Sequence, residues 1–154
     1  MLDFVKRFFG SEEPKISQID SAMLTAVESL DIQLAKAAHE NWKHRLQAYL
    51  DGSSAEEFSA ESICFDNRCD LGQWIYGTGK ARLGNFPGFT ALLGHHKMFH
   101  YAASNVVALA KAGKEDEANA MLNGQFAKFS NEVLADLNLL EEVGSARKKT
   151  NKAR

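Results

Sequence analysis

His39, Cys69, His96 and His100 are the residues of this chain whose types, taken together, could do chemistry. Three imidazoles and one thiolate are the ligand set of a tetrahedral zinc site. His96 and His100 stand at i and i+4, so on a helix both rings leave the same face one turn apart. Alone the pair is weak evidence, because two histidines on a helix can equally be a polar pair with one ring buried and hydrogen-bonded. His95 points elsewhere on the wheel and is expected to face solvent. His39 lies beside an apolar stripe, one turn before Trp42. It can be read as a core histidine with an ordinary partner. Left without one, a buried ring costs roughly 1–3 kcal/mol, and a metal ion is the single partner that would serve all three histidines. Cys69 opens a short helical segment, where free N–H groups favour the thiolate. Cys64 is its rival. It can be read as a small buried hydrophobe, and periodicity does not choose between the two.

The elements that must hold these residues are helical. Leu2, Phe4, Val5, Phe8 and Phe9 make Met1–Gly10 a short amphipathic stretch, and Ser11 to Pro14 reads as a helix entrance. From Ile16 to Leu50 apolar positions recur at helical spacing through Ile19, Met23, Val27, Leu30, Leu34, Ala38, Trp42 and Leu46. One helix of that length would extend roughly 50 Å, more than a compact domain of this size can cover. A second copy of the chain is the expected cover for one end. Residues 55–67 are ambiguous, and Gly77 to Pro87 reads as a loop. A second long helix is expected from about Gly88 to Ala112, with Leu92, His96, Phe99, Ala103, Val106 and Ala110 as its stripe. Gly113 suits a left-handed cap. Glu115, Asp116 and Glu117 then load the first turn of a last helix carrying Leu122, Phe126, Phe129, Val133, Leu137 and Leu140. Extended alternation is missing. The expected fold is all-α, a four-helix bundle with an additional short helix that carries the cysteine ligand. Its parts are an N-terminal amphipathic segment (1–14), the bundle (15–143) and a disordered basic tail (144–154).

Composition bounds the rest. A chain of 154 residues, 45% hydrophobic and 25% charged, is long enough for one domain with a buried core. Net charge of −2 gives no electrostatic footprint for nucleic acid. No apolar run approaches the roughly 20 residues of a membrane span, and the opening residues lack the pattern of a secretory signal. Two cysteines without such a signal argue for a reducing compartment, hence a cytoplasmic protein.

Three blocks stand in order: His39-Glu40-Asn41-Trp42-Lys43-His44-Arg45-Leu46, Cys69-Asp70-Leu71-Gly72-Gln73-Trp74, and His96-Lys97-Met98-Phe99-His100. Together they resemble the chemoreceptor zinc-binding domain family, with its His-x-x-Trp-x-x-Arg-Leu helix, Cys-x-Leu-Gly-x-Trp segment and His-x-x-x-His helix. The resemblance covers roughly Ile16 to Leu140. It implies a helical bundle, often a homodimer, that binds zinc through three histidines and one cysteine. Carried over by position, the ligands are His39, Cys69, His96 and His100, the cysteine before x-Leu-Gly-x-Trp being Cys69 rather than Cys64. Trp42 and Trp74 would pack around the site. Such domains usually form one end of a chemoreceptor or a diguanylate cyclase and modulate it in response to zinc or to oxidants such as hypochlorous acid. Here the expectation is a stand-alone domain, with no signalling or GGDEF-type domain attached.

Four protein ligands close the coordination sphere, whereas catalytic zinc keeps a position open. No nucleophile is paired with a base, so the chain is not expected to be an enzyme. The expected function is a zinc-dependent sensor signalling through the Cys69 segment to a chemoreceptor or cyclic-di-GMP partner. The alternative is a structural, zinc-stabilised adaptor bundle. A hemerythrin-type iron carrier would need Glu-x-x-His pairs on facing helices, and His39 and His100 follow Lys36 and Lys97 instead. The Met1–Phe9 stretch is expected to pack on its own bundle rather than on a membrane, having only Lys6 and Arg7 as basic residues.

Overall fold

The computed structural model describes residues 3–10 and 20–153. Among them there is no strand, and the chain is an all-α bundle. The expected entrance at Ser11–Pro14 and the first stripe positions, Ile16 and Ile19, lie outside the described residues.

Its centre is α7 (Pro87–Lys111). Proline at the first turn has no N–H to lose there, and Leu92, Phe99, Ala103 and Val106 are wholly buried, as the spacing predicts. Around it pack α3 (Ile32–Leu50), α4 (Ala60–Cys64), α8 (Glu115–Met121) and α9 (Ala127–Lys152). Gly113 adopts φ +75° and turns the chain from α7 into α8. A single π-type turn, Leu122–Phe126, joins α8 to α9 without breaking the run. Short α1 (Asp3–Phe9) lies on α7 and α9 through buried Val5, Phe8 and Phe9. Its apolar face is therefore spent on its own bundle.

The expected single helix over 16–50 is two. Helix α2 (Ser21–Glu28) ends at Ser29, and α3 begins after Asp31. Asp31 Oδ1 accepts from the backbone N–H of Leu34 at 3.0 Å, restarting the helix as an N-cap. The Ala26 carbonyl, freed at the end of α2, accepts instead from Ser29 Oγ at 2.7 Å and from the Trp74 indole at 2.8 Å. This elbow also shifts the buried face. Leu34 is 57% exposed and Ala38 is exposed, while Ala35, His39 and Leu46 turn inward. The length argument for a second copy falls with the single helix.

Two further expectations are corrected. Residues 77–87 are largely helical rather than loop: α5 (Asp70–Trp74) runs into a turn at Ile75–Gly79, kinked at Gly77, and then into α6 (Lys80–Leu83). Buried Ile75 and Leu83 decide this, because each carries a large side chain into the core whatever the glycines permit. Helix α9 continues to Lys152, past the expected start of a disordered tail. Lys148 on that extension reaches Glu28 of α2 at 3.1 Å.

Candidate metal centre

The four residues predicted from sequence meet at one point. His39 comes from α3, His96 and His100 from α7, and Cys69 from the residue that caps α5. Each offers a ligand atom, and these atoms lie within 4.8 Å of one another. Cys69 Sγ is 3.3 Å from His96 Nε2 and 3.7 Å from His100 Nε2, and the two histidine nitrogens are 3.2 Å apart. A tetrahedron with bonds of about 2.0–2.3 Å has edges of roughly 3.3–3.7 Å.

Two of the rings are set by main-chain carbonyls. His39 Nδ1–H donates to Ala35 O at 2.7 Å, one turn back on its own helix. His100 Nδ1–H donates to Ile63 O at 2.9 Å, at the end of α4. A carbonyl can only accept, so each Nδ1 carries the proton and each Nε2 presents a bare lone pair. His39 Nε2 is buried with no hydrogen-bond partner among the described residues. A cation in the cluster is the partner that this orphaned acceptor lacks. His96 Nδ1 is likewise buried and unpartnered, so the ring of His96 is held by packing between His39 and His100. Phe99, wholly buried, closes the floor against His39 and His100 with ring centroids 5.0 and 5.4 Å away.

Electrostatics suit the histidines as ligands and complicate the cysteine. Burial holds His39 and His100 below the ordinary imidazole value and drives His96 down to about 2, with the neighbouring rings adding to the effect. All three are therefore neutral at pH 7. The Cys69 thiol is pushed up by burial. The N–H groups of Gly72 and Leu71 pull the other way, and the Asp70 carboxylate raises it further. The expected preference for thiolate at a helix start is thus outweighed by desolvation in the metal-free chain, and a metal must supply it.

The loop before α5 is held tightly. A Cβ on Gly72 would stand 1.8 Å from the carbonyl oxygen of Asp66, so only glycine lets residues 66–69 fold back onto the helix. Gly72 N–H in turn donates to Cys69 Sγ at 3.3 Å. Trp74 lines a cleft at Cys69, together with Leu30, Asp31, Leu34, His39 and Asp70. Trp42 is engaged elsewhere, on Phe58 and under the Arg45 guanidinium at 4.1 Å. Cys64 is exposed, at the end of α4. His95 leaves the cluster side of α7 as expected, yet it is half-buried, because its Nδ1 pairs with Asp136 of α9 at 2.6 Å.

Sequence reasoning missed the orienting carbonyls of Ala35 and Ile63, since main-chain acceptors leave no signature in residue type. It also missed the cleft, which the elbow residues 29–31 and exposed Leu34 help to line. Comparison with known proteins agrees with the site. The family model of the chemoreceptor zinc-binding domain matches residues 39–107, a span that contains all four residues. No curated protein and no solved structure matches the chain.

Proposed function

Residues 39–107 are a chemoreceptor zinc-binding domain, and from that premise we propose that the chain is a zinc-dependent sensor in which His39, Cys69, His96 and His100 are the ligands and Cys69 is the responsive one. The family is a regulatory zinc-binding one rather than an enzyme family, and the cluster suits zinc. One observation supports the choice of Cys69. His39, His96 and His100 are 3%, 0% and 4% exposed, whereas Cys69 is only half-buried and faces the cleft.

A bound zinc would keep Cys69 ionised at neutral pH. The thiolate sulfur then attacks an electrophilic oxidant, taking up one oxygen equivalent as a sulfenic acid, while the reduced oxidant leaves with the electron pair. Sulfenic sulfur is a poorer ligand and a poorer acceptor for the Gly72 N–H. Cys69 is the N-cap of α5, so its departure loosens that helix and the Trp74 contact to α2. The reading extends to a cytoplasmic signalling partner, a chemoreceptor or a diguanylate cyclase, that receives the change, and to a homodimer as its working form.

The test is metal content per chain before and after one equivalent of hypochlorous acid. About one zinc per chain is expected, lost or loosened on oxidation, with the response abolished in Cys69→Ser. Zinc retained beside unmodified Cys69 would make the chain a structural adaptor bundle. No zinc, or iron in its place, would overturn the reading.

A further inference from the structure

The cleft beside Cys69 has a volume of about 530 Å³. Its walls come from the elbow and the start of α3 on one side, Leu30, Leu34 and Ala38, and from α5 on the other, Leu71 and Trp74. Cys69 and His39 also line it, and His39 Nε2 has no partner among the described residues. Among the described residues, the charged ones lining it are Asp31 and Asp70, with no lysine or arginine. Asp31 Oδ1 is fixed as the N-cap of α3, and Asp70 follows Cys69 directly in the first turn of α5. Two carboxylates therefore flank an apolar approach to a nucleophilic sulfur.

We propose that this cleft is the route by which electrophiles reach Cys69, and that Asp31 and Asp70 make the route selective for uncharged and cationic reagents over anionic ones. The inference rests on the proposed reading of Cys69 as the responsive ligand. Low-dielectric walls focus the field of charges placed along a cleft, so a like charge entering it is depleted and an opposite one enriched. The apolar residues add affinity for an uncharged reagent with a hydrocarbon part. The natural class is thus uncharged oxidants and electrophiles, such as peroxides, hypohalous acids in their protonated form and small unsaturated carbonyl compounds. Anionic oxidants of the same reactivity are disfavoured.

The probes are three methanethiosulfonates on the zinc-loaded full chain: methyl, 2-sulfonatoethyl and 2-(trimethylammonio)ethyl. In each, the thiolate attacks the sulfenyl sulfur, a disulfide bond forms, and methanesulfinate leaves with the electron pair of the broken S–S bond. Exposed Cys64 is the reference in the same molecule, read by peptide mass. Relative to Cys64, the anionic reagent should label Cys69 about 10-fold more slowly than the neutral one, and the cationic reagent at least as fast as the neutral one, with the contrast shrinking at high salt. The Asp31→Asn/Asp70→Asn variant keeps a capping side chain at 31 and should narrow the contrast to about 2-fold. Equal labelling by all three reagents with zinc release would overturn the selectivity and leave the sensor standing. A contrast unchanged in the double variant would overturn the role of the two carboxylates. Charge-selective labelling without zinc release would sink the sensor and leave the route. Labelling of Cys64 alone by every reagent would overturn both.

Discussion

The indole N–H of Trp74 donates to the carbonyl of Ala26 at 2.8 Å, tying the short helix that Cys69 caps to the end of α2. Ser29 Oγ lies 3.2 Å from the same indole nitrogen. The elbow in the first helical arm and the cysteine segment are thereby one mechanical unit.

Trp74→Phe keeps most of the buried ring and removes that donor. Loss of one hydrogen bond to the buried Ala26 carbonyl should cost about 1–2 kcal/mol, measured as a lower urea midpoint in the zinc-loaded chain. An unchanged midpoint would mean that the elbow holds without the indole.

His39→Leu separates the metal from the fold. The substitution removes the orphaned Nε2 and fills the space with an apolar side chain, so metal-free stability should hold or rise by up to ~1 kcal/mol. Zinc affinity should fall by at least about tenfold, as it would for any lost ligand. Chelator competition and denaturant unfolding read the two effects separately. Equal losses in both would place His39 in the fold alone.

Gly72→Ala drives a methyl into the Asp66 carbonyl. The 66–69 loop must move, and Cys69 with it. A destabilisation of about 1–3 kcal/mol with weaker zinc binding is expected, whereas Gly124→Ala, where a Cβ meets open space, should leave zinc binding intact.

The direction of each pKa shift fixes two pH dependences. In the metal-free chain the histidines are depressed below 6.5 by burial, so the unfolded chain takes up protons first as pH falls. Stability is fully present above about pH 6.5 and is lost below it, by about 1.4 kcal/mol per pH unit for each histidine until its folded value is reached. Acid titration of thermal unfolding checks this, and a flat profile between pH 6.5 and 5 would contradict it. Zinc binding at pH 7 should release close to one proton, from the raised Cys69 thiol and not from the neutral rings. Calorimetry in buffers of different ionisation enthalpy counts that proton, and a count near zero would mean a metal-free thiolate.

The clustering of His39, Cys69, His96 and His100 was legible in the sequence because each is a rare residue type at a fixed offset within a block, as in His96 and His100. Helix α7 was legible because its stripe runs unbroken from Leu92 to Val106. The elbow was not, because Val27, Leu30 and Leu34 keep helical spacing straight through it. Asp31 occupies what looks like one more polar position, and its capping role is seen only once Trp74 has taken the Ala26 carbonyl. Residues 77–83 were hidden for the opposite reason. Gly77 and Gly79 suggested a loop, while buried Ile75 and Leu83 held the segment in helical turns. The run past Ser145 stays helical where composition suggested a tail, and Lys148 pairs with Glu28 across it.

The Ile63 carbonyl that orients His100 belongs to α4, a five-residue helix packed along α7, where Ser104 Oγ also donates to Ala60 O at 2.7 Å. An acceptor of that kind is inherited with the path of the chain and cannot be exchanged by a point substitution. Transplanting the four side chains onto another bundle would therefore carry over the donor groups but not the aim of the ring. The portable unit is the helix pair α4–α7 with its spacing, and a grafted site lacking that segment would leave one imidazole free to turn.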